Sequence, residues 1–478
     1  MPFPVRGADV TLIAPSAAFL RSGLRAGDLV HRHELRGPDV DPVVAAAALR
    51  GTERTMLSSR TSEPGQEPVV LLGTGELAVA RRVRGEHDLA PADPMTDPVT
   101  LAVDFLAGLE FGPGASRDER SWYGCVGFDA VTDFERLTLQ RTALPTYDLF
   151  LPEVLVRFDG TATTVVGRGA TAAAARTAAE RVERVLRQAG EFTAAAPRVG
   201  AGAFGYGVEE YVEVVRRAKE YILAGDIFQV VLSVRYSAPG AADGLSVYRR
   251  LAEFNRSPYH FWYRGGEFEV VGASPEPCFT VAGRDVLIRP LAGTRPRGAD
   301  LAADRAAEQE LVSSEKELAE HRMLVDLARN DLGRVCVPRS VQVPRLMEVE
   351  RYSHVMHLTS DVRGVLRPGC RTDDVIRAGF PAGTMTGAPK LRAIEIIDEL
   401  EPVGRGLYSG AVGSFGVDHA DLYLTIRALV LHEGELHLQA GGGIVHDSDP
   451  LAERAECVAK LGAAARAASV TLGPEAAS

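Results

Sequence analysis

The chain has 478 residues, a net charge of −11, 46% hydrophobic residues and 24% charged residues. This composition is ordinary for a globular protein, and the length allows two or three domains or one large composite. The negative charge argues against nucleic acid as a partner. Since no apolar run approaches the ~18 residues of a membrane-spanning helix, we expect no membrane partner either.

The cysteines and the amino terminus indicate a compartment. Cys125, Cys278, Cys336, Cys370 and Cys457 are odd in number and scattered, with neither CxxC pairs nor a disulfide framework. This pattern is typical of a reducing environment. The first residues, Met-Pro-Phe-Pro-Val-Arg, contain no apolar signal segment. We therefore expect the protein to be cytoplasmic.

Residues 1–200 predict a β-rich region with a structural or partly regulatory role. Their apolar runs and helical patterns predict strands at 10–13, 69–72, 77–83 and 122–128, and helices at 43–49, 98–110 and 171–189. The Gly- and Ala-rich stretch 192–206 is typical of a linker. We therefore place a boundary near residue 200.

Residues 201–478 have clearer patterns and form the predicted catalytic region. A helix at 208–224 ends at Gly225, and the strand after it places Gln229, Val231 and Ser233 on one face. The other predicted elements are strands at 258–281, 410–417, 422–431 and 436–441, a long helix at 304–331 and a closing helix at 451–468. Strands on both sides of long helices, without βαβ alternation, predict an α+β layered fold.

The stretch Phe380–Lys390 is a loop of Gly, Pro and Thr that runs directly into an amphipathic helix. Leu391, Ile394 and Ile397 recur there at helical spacing. Free N–H groups at a helix start bind anions readily, so the loop is a candidate anion site. The alternative is a loop that only caps a core helix, and this stretch alone does not decide between them.

Two pairs of glutamates occur at helical spacing. Glu317 and Glu320 project from one helix face, and Glu453 and Glu456 repeat the spacing on another helix. Carboxylates that converge from two helices would suit a hard cation, Mg²⁺ above all. The alternative is that both pairs are solvated helix faces.

Further candidates lie near predicted strands. Gly441–Gly443 directly follow a strand, where backbone N–H groups can reach a carboxylate, and Arg427 at a strand end suits a bidentate grip on one. Glu276 follows a strand in an apolar neighbourhood, where a raised pKa would make it a general acid. The remaining candidates, each better explained singly by a structural role, are Tyr408, His357 and Lys390.

Together these stretches resemble the chorismate-utilising enzyme family, and anthranilate synthase component I most of all. The resemblance covers residues 208–470 and is loose in the first 200 residues. It implies an α+β fold in which layered antiparallel sheets form a core sandwich with helices packed outside. The matching stretches are Gly225–Ser233, Ala273–Glu276, Arg289–Arg297, Glu320–Asp331, Tyr352–Leu358, Phe380–Lys390 and Gly441–Val445.

The resemblance also implies roles for individual residues. Glu276 would protonate the leaving 4-hydroxyl of chorismate, and His357 would assist its departure or lie over the ring. Apart from the resemblance, Thr384 and Thr386 in the loop are the candidates for influencing whether pyruvate leaves. The residues implied around Mg²⁺ are Glu317, Glu320, Glu453 and Glu456. The residues implied in substrate binding are Thr294, Tyr408, Arg427, Lys390, Gly441, Gly442 and Gly443.

Gln229 indicates the nucleophile. Family members that add water have a Lys at this position as the base, and members that add ammonia have Gln. Gln cannot deprotonate water, whereas ammonia is already a nucleophile. Aminodeoxychorismate synthases typically have a Lys where this chain has Ala292. The resemblance therefore favours direct attack of ammonia at C2 of chorismate, which gives 2-amino-2-deoxyisochorismate.

The product and the nitrogen source stay open. Pyruvate elimination would give anthranilate, whereas the aminodeoxyisochorismate synthases release the intermediate. The chain contains no recognisable glutaminase, so ammonia would come from a separate glutamine amidotransferase subunit or from free ammonium. Residues 56–61 and 255–259 depart from the tryptophan motifs of feedback-inhibited members, which argues against tryptophan inhibition. The other functions considered are an aminodeoxychorismate synthase component I, a water-using isochorismate or salicylate synthase, and a catalytically silent binding subunit.

Overall fold

The computed structural model describes residues 11–13, 18–51, 54–61, 68–82, 97–140, 142–160, 162–352 and 355–473. Its helices are α1 (Pro42–Leu49), α2 (Pro98–Ala107), α3 (Ala172–Arg187), α4 (Val208–Ala224), α5 (Gly244–Phe254), α6 (Leu301–Ser313), α7 (Glu315–Gly333), α8 (Thr372–Gly379), α9 (Lys390–Leu400) and α10 (Pro450–Ala467). Residues 1–6, 10, 83, 353 and 354, which entered the predictions above, lie outside the described residues.

The strands are β1 (Thr11–Ile13), β2 (Ala18–Ser22), β3 (Leu29–Arg36), β4 (Arg54–Arg60), β5 (Val69–Thr74), β6 (Ala78–Arg82), β7 (Glu110–Phe111), β8 (Trp122–Val126), β9 (Tyr147–Leu151), β10 (Val154–Phe158), β11 (Thr163–Gly169), β12 (Arg198–Val199), β13 (Ala203–Phe204), β14 (Gln229–Ala241), β15 (Tyr259–Gly265), β16 (Phe268–Ser274), β17 (Pro277–Ala282), β18 (Asp285–Ile288), β19 (Leu291–Pro296), β20 (Gln342–Arg351), β21 (Val355–Val365), β22 (Gly387–Ala388), β23 (Ala411–Phe415), β24 (His419–Leu424), β25 (Ala428–His432) and β26 (Glu435–Ile444).

These strands form two large sheets, which are antiparallel except where β3 pairs with β7. The first sheet runs β1-β2-β6-β9-β8-β23-β24-β17-β18-β21-β19, with β20 also paired to β21. The second runs β12-β14-β26-β25-β16-β15-β4-β5-β10-β11-β3-β7, and β13 and β22 also pair with β14. The predicted α+β fold of layered antiparallel sheets is confirmed.

Buried side chains show how the layers pack. Aromatic residues of the two sheets share one core cluster, with Tyr123 and Phe150 from the first sheet and Phe261 and Tyr263 from the second. Helices α2, α7 and α8 pack against the first sheet. Helices α1, α3, α4, α5, α9 and α10 pack against the second. The result is a sandwich of sheets with helices outside, and among the residues described no helix has the length and apolarity needed to cross a bilayer.

Both sheets contain strands from either side of residue 200. In the first sheet β8 pairs with β23, and in the second β4 pairs with β15. The stretch expected to be a linker also contributes short strands, β12 and β13, which pair with β14. The regions 1–200 and 201–478 therefore share sheets and cores, and the boundary predicted between them interrupts neither sheet.

The long helix predicted at 304–331 is two helices, and this prediction was wrong at one residue. Ser314 has an extended backbone (φ −72°, ψ 106°), and its hydroxyl accepts the Glu317 N–H at 3.4 Å, so it caps the start of α7. The sequence Ser314-Glu-Lys-Glu317 is a capping signature that marks such a start. The break sets the direction in which α7 presents its first turns.

The strand predicted at 422–431 is also two strands, β24 and β25, separated by residues 425–427. Arg427 has a left-handed backbone (φ 51°) in this gap. The triple glycine, expected after a strand, lies inside β26, where Gly441, Gly442 and Gly443 pair with β14. Glycine tracts are poor strand formers, and here the tertiary pairing overrides that local preference.

A buried ion pair joins several of these elements. Arg405 donates to both carboxylate oxygens of Glu401 at 2.9 and 2.6 Å, and the two side chains are 1% and 3% exposed. Arg405 also donates to the carbonyls of Met385 and Val231 at 2.8 and 2.7 Å. The Ser233 N–H and hydroxyl donate to Glu401 at 2.9 and 2.7 Å. The pair thus fixes the 380–390 loop against β14.

We expect Arg405→Ala to destabilise the protein by about 3–5 kcal/mol, because the substitution leaves the Glu401 charge buried without its partner. The free energy of unfolding from urea titration measures this. The matched control is Arg217→Ala, which removes the cation of an ion pair with Glu399 whose side chains are 42% and 43% exposed. It should cost less than about 1 kcal/mol. Equal losses in the two variants would contradict the role given to the buried pair.

Candidate active site

A cavity of about 460 Å³ lies where β14, β19, β21 and β26 meet α7, α10 and the 380–390 loop. Most of the residues predicted for the site line this cavity. Those that do are Gln229, Glu276, Thr294, Glu317, Glu320, His357, Thr384, Tyr408, Arg427, Gly441, Gly443, Glu453 and Glu456. The two sheets and the helices against them therefore bring together side chains that are more than 200 residues apart in the chain.

Glu276 is a buried acid in the wall of the cavity. It follows β16 and is 5% exposed. The Thr384 hydroxyl donates to its Oε1 at 2.8 Å. Burial raises the pKa of Glu276 to about 8, although the hydrogen bonds from Thr384 and the Leu291 N–H act to lower it. At neutral pH the carboxyl is therefore mostly protonated and able to donate a proton.

His357 on β21 is held as a neutral imidazole. Its Nδ1 lies 3.2 Å from the Gly293 carbonyl oxygen and 3.0 Å from the Thr294 hydroxyl. Burial lowers the pKa of His357 to about 4, and the hydrogen bond to Gly293 offsets only part of this. Because a carbonyl can only accept, Nδ1 carries the proton and Nε2 is left as an acceptor.

The four glutamates line the cavity from two helices, α7 and α10. Each has a polar neighbour: Arg295 lies 3.2 Å from Glu317, the Gln229 amide 2.8 Å from Glu320, Lys316 3.6 Å from Glu453 and Lys460 2.8 Å from Glu456. Burial raises the pKa of Glu320, and the charge of Glu317 adds to the rise. For Glu456 burial acts in the same direction, but the nearby cations outweigh it and lower the pKa.

This donor set fits Mg²⁺ in its chemistry. All four side chains offer carboxylate oxygens, and the mutual repulsion of Glu317 and Glu320 would be relieved by a cation. Among the described residues no group of three His, Cys, Asp or Glu side chains is preformed as a metal cage. Mg²⁺ usually binds through one or two carboxylates together with water and substrate oxygens, so it does not require such a cage.

Arg427 and the glycines of β26 form the part of the cavity suited to carboxylates. Lys460 donates to the Gly441 carbonyl at 2.8 Å, so this carbonyl points away from β14. In a strand the N–H and carbonyl of one residue, and those of the residue two further along, point to the same side. The N–H groups of Gly441 and Gly443 therefore face the same side as Lys460 and can bind an anion.

Lys390 and Gly442 do not line the cavity, which corrects their expected contact with substrate. Lys390 Nζ lies 2.8 Å from Asp331 and 2.9 Å from the Gly379 carbonyl, so it is used in a buried ion pair behind the loop. The side chain of the first residue of α9 is therefore paired with Asp331 and does not enter the cavity. A Cβ at Gly442 would lie on the opposite face of β26, next to Glu453 and Cys457 of α10.

Sequence reasoning missed several cations that line the cavity, namely Arg295, Lys316 and Lys460. Lys460 had a usable signal, because it follows Glu456 by four residues on one helix face. Arg295 and Lys316 had none, since their approach to Glu317 and Glu453 depends on the tertiary fold.

A second cavity, of about 670 Å³, lies beside the first. Ser59, Thr61, Asn255, Arg256 and Tyr259 line it, so the stretches 56–61 and 255–259 meet there. Pro275 and Leu291 line both cavities, and each cavity therefore has a wall in common with the other.

The site combines a buried protonated carboxyl, several cations and four carboxylates around one cavity, which is typical of an enzyme that handles a small polyanion. Comparison with known proteins agrees with this class. The model of the chorismate binding enzyme family matches residues 76–466. The chain belongs to this family and is a chorismate-binding enzyme.

The similar proteins include anthranilate synthases and an isochorismate synthase. Anthranilate synthase component 1 of Streptomyces coelicolor is 41% identical over 475 residues, which cover 93% of this chain and 90% of the relative. Anthranilate synthase component 1 of Pseudomonas putida is 52% identical, but the alignment covers only 55% of this chain and 54% of the relative.

Solved structures share the fold. Anthranilate synthase component I from Streptococcus pneumoniae superposes with a TM-score of 0.72 at 30% identity, over 85% of this chain and 93% of that chain. The menaquinone-specific isochorismate synthase from Escherichia coli has a TM-score of 0.73 at 18% identity, over 93% and 95% of the two chains. At that identity the second likeness shows the fold alone.

Glu276→Gln should make the protein more stable than the wild type as the pH rises. The folded-state pKa of Glu276 is about 8, against the ordinary value of 4.5 for a glutamate exposed to water. Its favourable contribution is thus complete below pH 4.5 and is lost as the pH rises to 8. An uncharged amide has no such loss, so the stability difference should grow over this range to a few kcal/mol, at about 1.4 kcal/mol per pH unit.

Urea unfolding of both proteins at pH 5 and pH 8 measures the difference. The control is Glu267→Gln, whose carboxylate is 80% exposed and whose substitution should change stability by less than about 0.5 kcal/mol at either pH. A difference between Glu276→Gln and wild type that stays constant with pH would contradict the buried, protonated state of Glu276.

Proposed function

We propose that the protein catalyses the Mg²⁺-dependent amination of chorismate at C2 with ammonia, followed by pyruvate elimination to anthranilate. The observation that carries this proposal is Gln229 in the wall of the cavity. Gln cannot remove a proton from water, whereas ammonia attacks without a base. The similarity to anthranilate synthase component 1 over most of the chain supports the same nucleophile and product.

The other basic side chains in the cavity are also poorly suited to activating water. The amines of Lys316 and Lys460 are already engaged in ion pairs with Glu453 and Glu456. Burial lowers the pKa of His357 to about 4, so it is a weak base. Among the described residues at the cavity, none is therefore positioned as an efficient base for water.

Glu276 supplies the proton that makes the 4-hydroxyl of chorismate a leaving group. As the C2–N bond forms, the ring double bonds shift and the C4–O bond breaks. The Glu276 proton joins the departing oxygen, which leaves as water. The new C2 ammonium then loses one proton to solvent, and Glu276 regains one. Because its pKa is raised to about 8, Glu276 starts this sequence protonated at neutral pH.

The substrate carboxylates would be held by charges and donors of the same cavity. Arg427, the Thr294 hydroxyl and the N–H groups of Gly441 and Gly443 suit one or both carboxylates, and Tyr408 offers a further hydroxyl. Glu317, Glu320, Glu453 and Glu456 would hold Mg²⁺. When bound, this ion would neutralise a substrate carboxylate and stabilise charge that develops on the ring.

Ammonia would come from a separate glutamine amidotransferase subunit or from free ammonium. The designation of the relatives as a component 1 supports a second component. We place the enzyme in the cytoplasm, in keeping with the scattered cysteines.

The competing functions are less well supported. The fold is shared with an isochorismate synthase, so fold does not decide the nucleophile and Gln229 has to. Ala292 lines the cavity where an aminodeoxychorismate synthase would have Lys. Glu276 and all four glutamates are in place, which argues against a catalytically silent subunit.

The decisive experiment incubates the protein with chorismate, Mg²⁺ and ammonium and separates the products. We expect fluorescent anthranilate together with an equal amount of pyruvate, and loss of turnover on chelation. An ammonia-dependent product without pyruvate would assign the protein to the aminodeoxyisochorismate synthases. Isochorismate or salicylate formed without ammonia would refute amination. Turnover that survives chelation would refute the role given to the glutamates.

Thr384→Val should move the alkaline limb of kcat to higher pH. The Thr384 hydroxyl donates to Glu276 and lowers its pKa, so its removal lets the pKa rise and keeps Glu276 protonated longer. The ratio of kcat in Thr384→Val to kcat in wild type should therefore increase as the pH passes through 8. Thr384→Ser keeps the donor and should give a constant ratio. A constant ratio for the Val variant would show that Thr384 does not tune Glu276.

A further inference from the structure

His321 interrupts a face of α7 that is otherwise apolar. Leu318, Val325 and Ala328 lie at helical spacing with it and pack into the core clusters beneath the helix. His321 itself is 0% exposed. The helix therefore rests on the first sheet through an apolar stripe that contains one buried imidazole, and the presence of that ring requires a physical reason.

The imidazole of His321 makes a directional contact with the sheet. Its Nε2 lies 2.6 Å from the hydroxyl of Ser360 on β21. Ser360 is held in turn, because its oxygen accepts the Met347 N–H at 2.9 Å. Met347 has a left-handed backbone (φ 55°), and it lies where β20 shifts its register against β21. Helix α7, strand β21 and the irregular part of β20 thus meet at one hydroxyl.

Stability alone does not favour a histidine at this position. The Nδ1 atom of His321 is buried and has no hydrogen-bond partner in the part of the chain that the structure describes. A buried polar atom without a partner costs free energy, whereas an apolar side chain of similar size would fill the same space without that cost. This indicates that the ring is present for the direction of its bond to Ser360.

The helix face beside His321 carries two of the four cavity glutamates. Glu320 directly precedes His321, so their side chains are turned from each other by about 100° around the helix axis. Glu317, Glu320 and Leu324 share the neighbouring face and line the cavity. Apolar packing has no preferred direction and tolerates small rotations of a helix, whereas a hydrogen bond restricts both distance and angle. A rotation of α7 would displace both carboxylates together.

We propose that His321 and Ser360 are positioning residues for the magnesium environment, and that their hydrogen bond sets the rotation of α7 and so the places of Glu317 and Glu320. The inference rests on the proposed Mg²⁺ dependence and adds to it two residues that do not line the cavity. Neither side chain contacts the ion. Loss of their bond should weaken Mg²⁺ binding without a matching loss of protein stability.

The test titrates Mg²⁺ into the full chain in a calorimeter, with chorismate present and ammonium absent, so that binding is measured without amination. The variants are His321→Leu, which removes the ring nitrogens at similar volume, and Ser360→Ala. In each we expect the Mg²⁺ dissociation constant to rise about tenfold, as for other residues that orient metal ligands. The urea midpoint of His321→Leu should not fall, because the unpaired Nδ1 is removed with the ring.

Val325→Ala is the matched control on the same face of α7. Val325 is 5% exposed, so its truncation should lower the urea midpoint but change the Mg²⁺ dissociation constant less than about twofold. His321→Gln keeps a hydrogen-bonding amide near the place of Nε2 and should recover most of the affinity. The double variant of His321→Leu and Ser360→Ala should lose no more affinity than either single variant, because only one bond is removed.

An unchanged Mg²⁺ dissociation constant in His321→Leu or Ser360→Ala overturns the positioning role. So does an equal loss of Mg²⁺ affinity in Val325→Ala, since any weakening of α7 would then have the same effect. If His321→Leu does not fold, Ser360→Ala decides. A wild-type protein that binds no Mg²⁺ in this titration refutes the proposed metal dependence itself, whereas wild-type affinity in all the variants refutes the positioning role alone.

Discussion

The buried ion pair of Arg405 and Glu401 is the interaction on which the geometry of the site depends. Through it the Met385 carbonyl is tied to the Val231 carbonyl and to Ser233. One end of this network therefore belongs to the loop that contains Thr384, and the other to the strand that begins with Gln229. The Thr384 side and the Gln229 side of the cavity are held at a fixed separation by two charged side chains that do not themselves line the cavity. A buried pair is rarely a gain in stability, but here it sets a distance.

Desolvation gives the same cavity an acid and a neutral imidazole. Burial raises the pKa of Glu276 to about 8 and lowers that of His357 to about 4. Both groups are therefore uncharged near pH 7, one as a donor and the other as an acceptor. If Glu276 and His357 were charged, they would compete with the ionic contacts of the substrate. Those contacts would instead be made by Arg427, the lysines and the glutamates. Under the proposed function, the groups that would transfer protons are thus separate from the groups that would bind charge.

Much of this site was predictable from the sequence because its signals are local. The alternation of β14, the glutamate pairs and Glu276 after a strand each depend on a few neighbouring residues. Gln229, Val231, the four glutamates and Glu276 all line the cavity. The ion pair of Lys390 could not be predicted, because its partner Asp331 is 59 residues away in the chain and only the fold brings the two side chains together. The same holds for Arg295 and Lys316, and for the strand pairing that places the triple glycine inside β26. The break at Ser314, in contrast, was predictable from the local capping signature Ser314-Glu-Lys-Glu317.

The sharing of both sheets across residue 200 has a consequence for how the chain acquires its structure. Strand β4 ends about 200 residues before its partner β15 begins, and the separation in sequence between β8 and its partner β23 is larger still. Contacts of such separation form slowly, because a long loop must close before they bring any stabilisation. During synthesis the early strands stand with open edges, which are templates for aggregation. The amino-terminal region is therefore not an exchangeable module. Its strands cannot complete their sheets until the carboxyl-terminal half of the chain has left the ribosome.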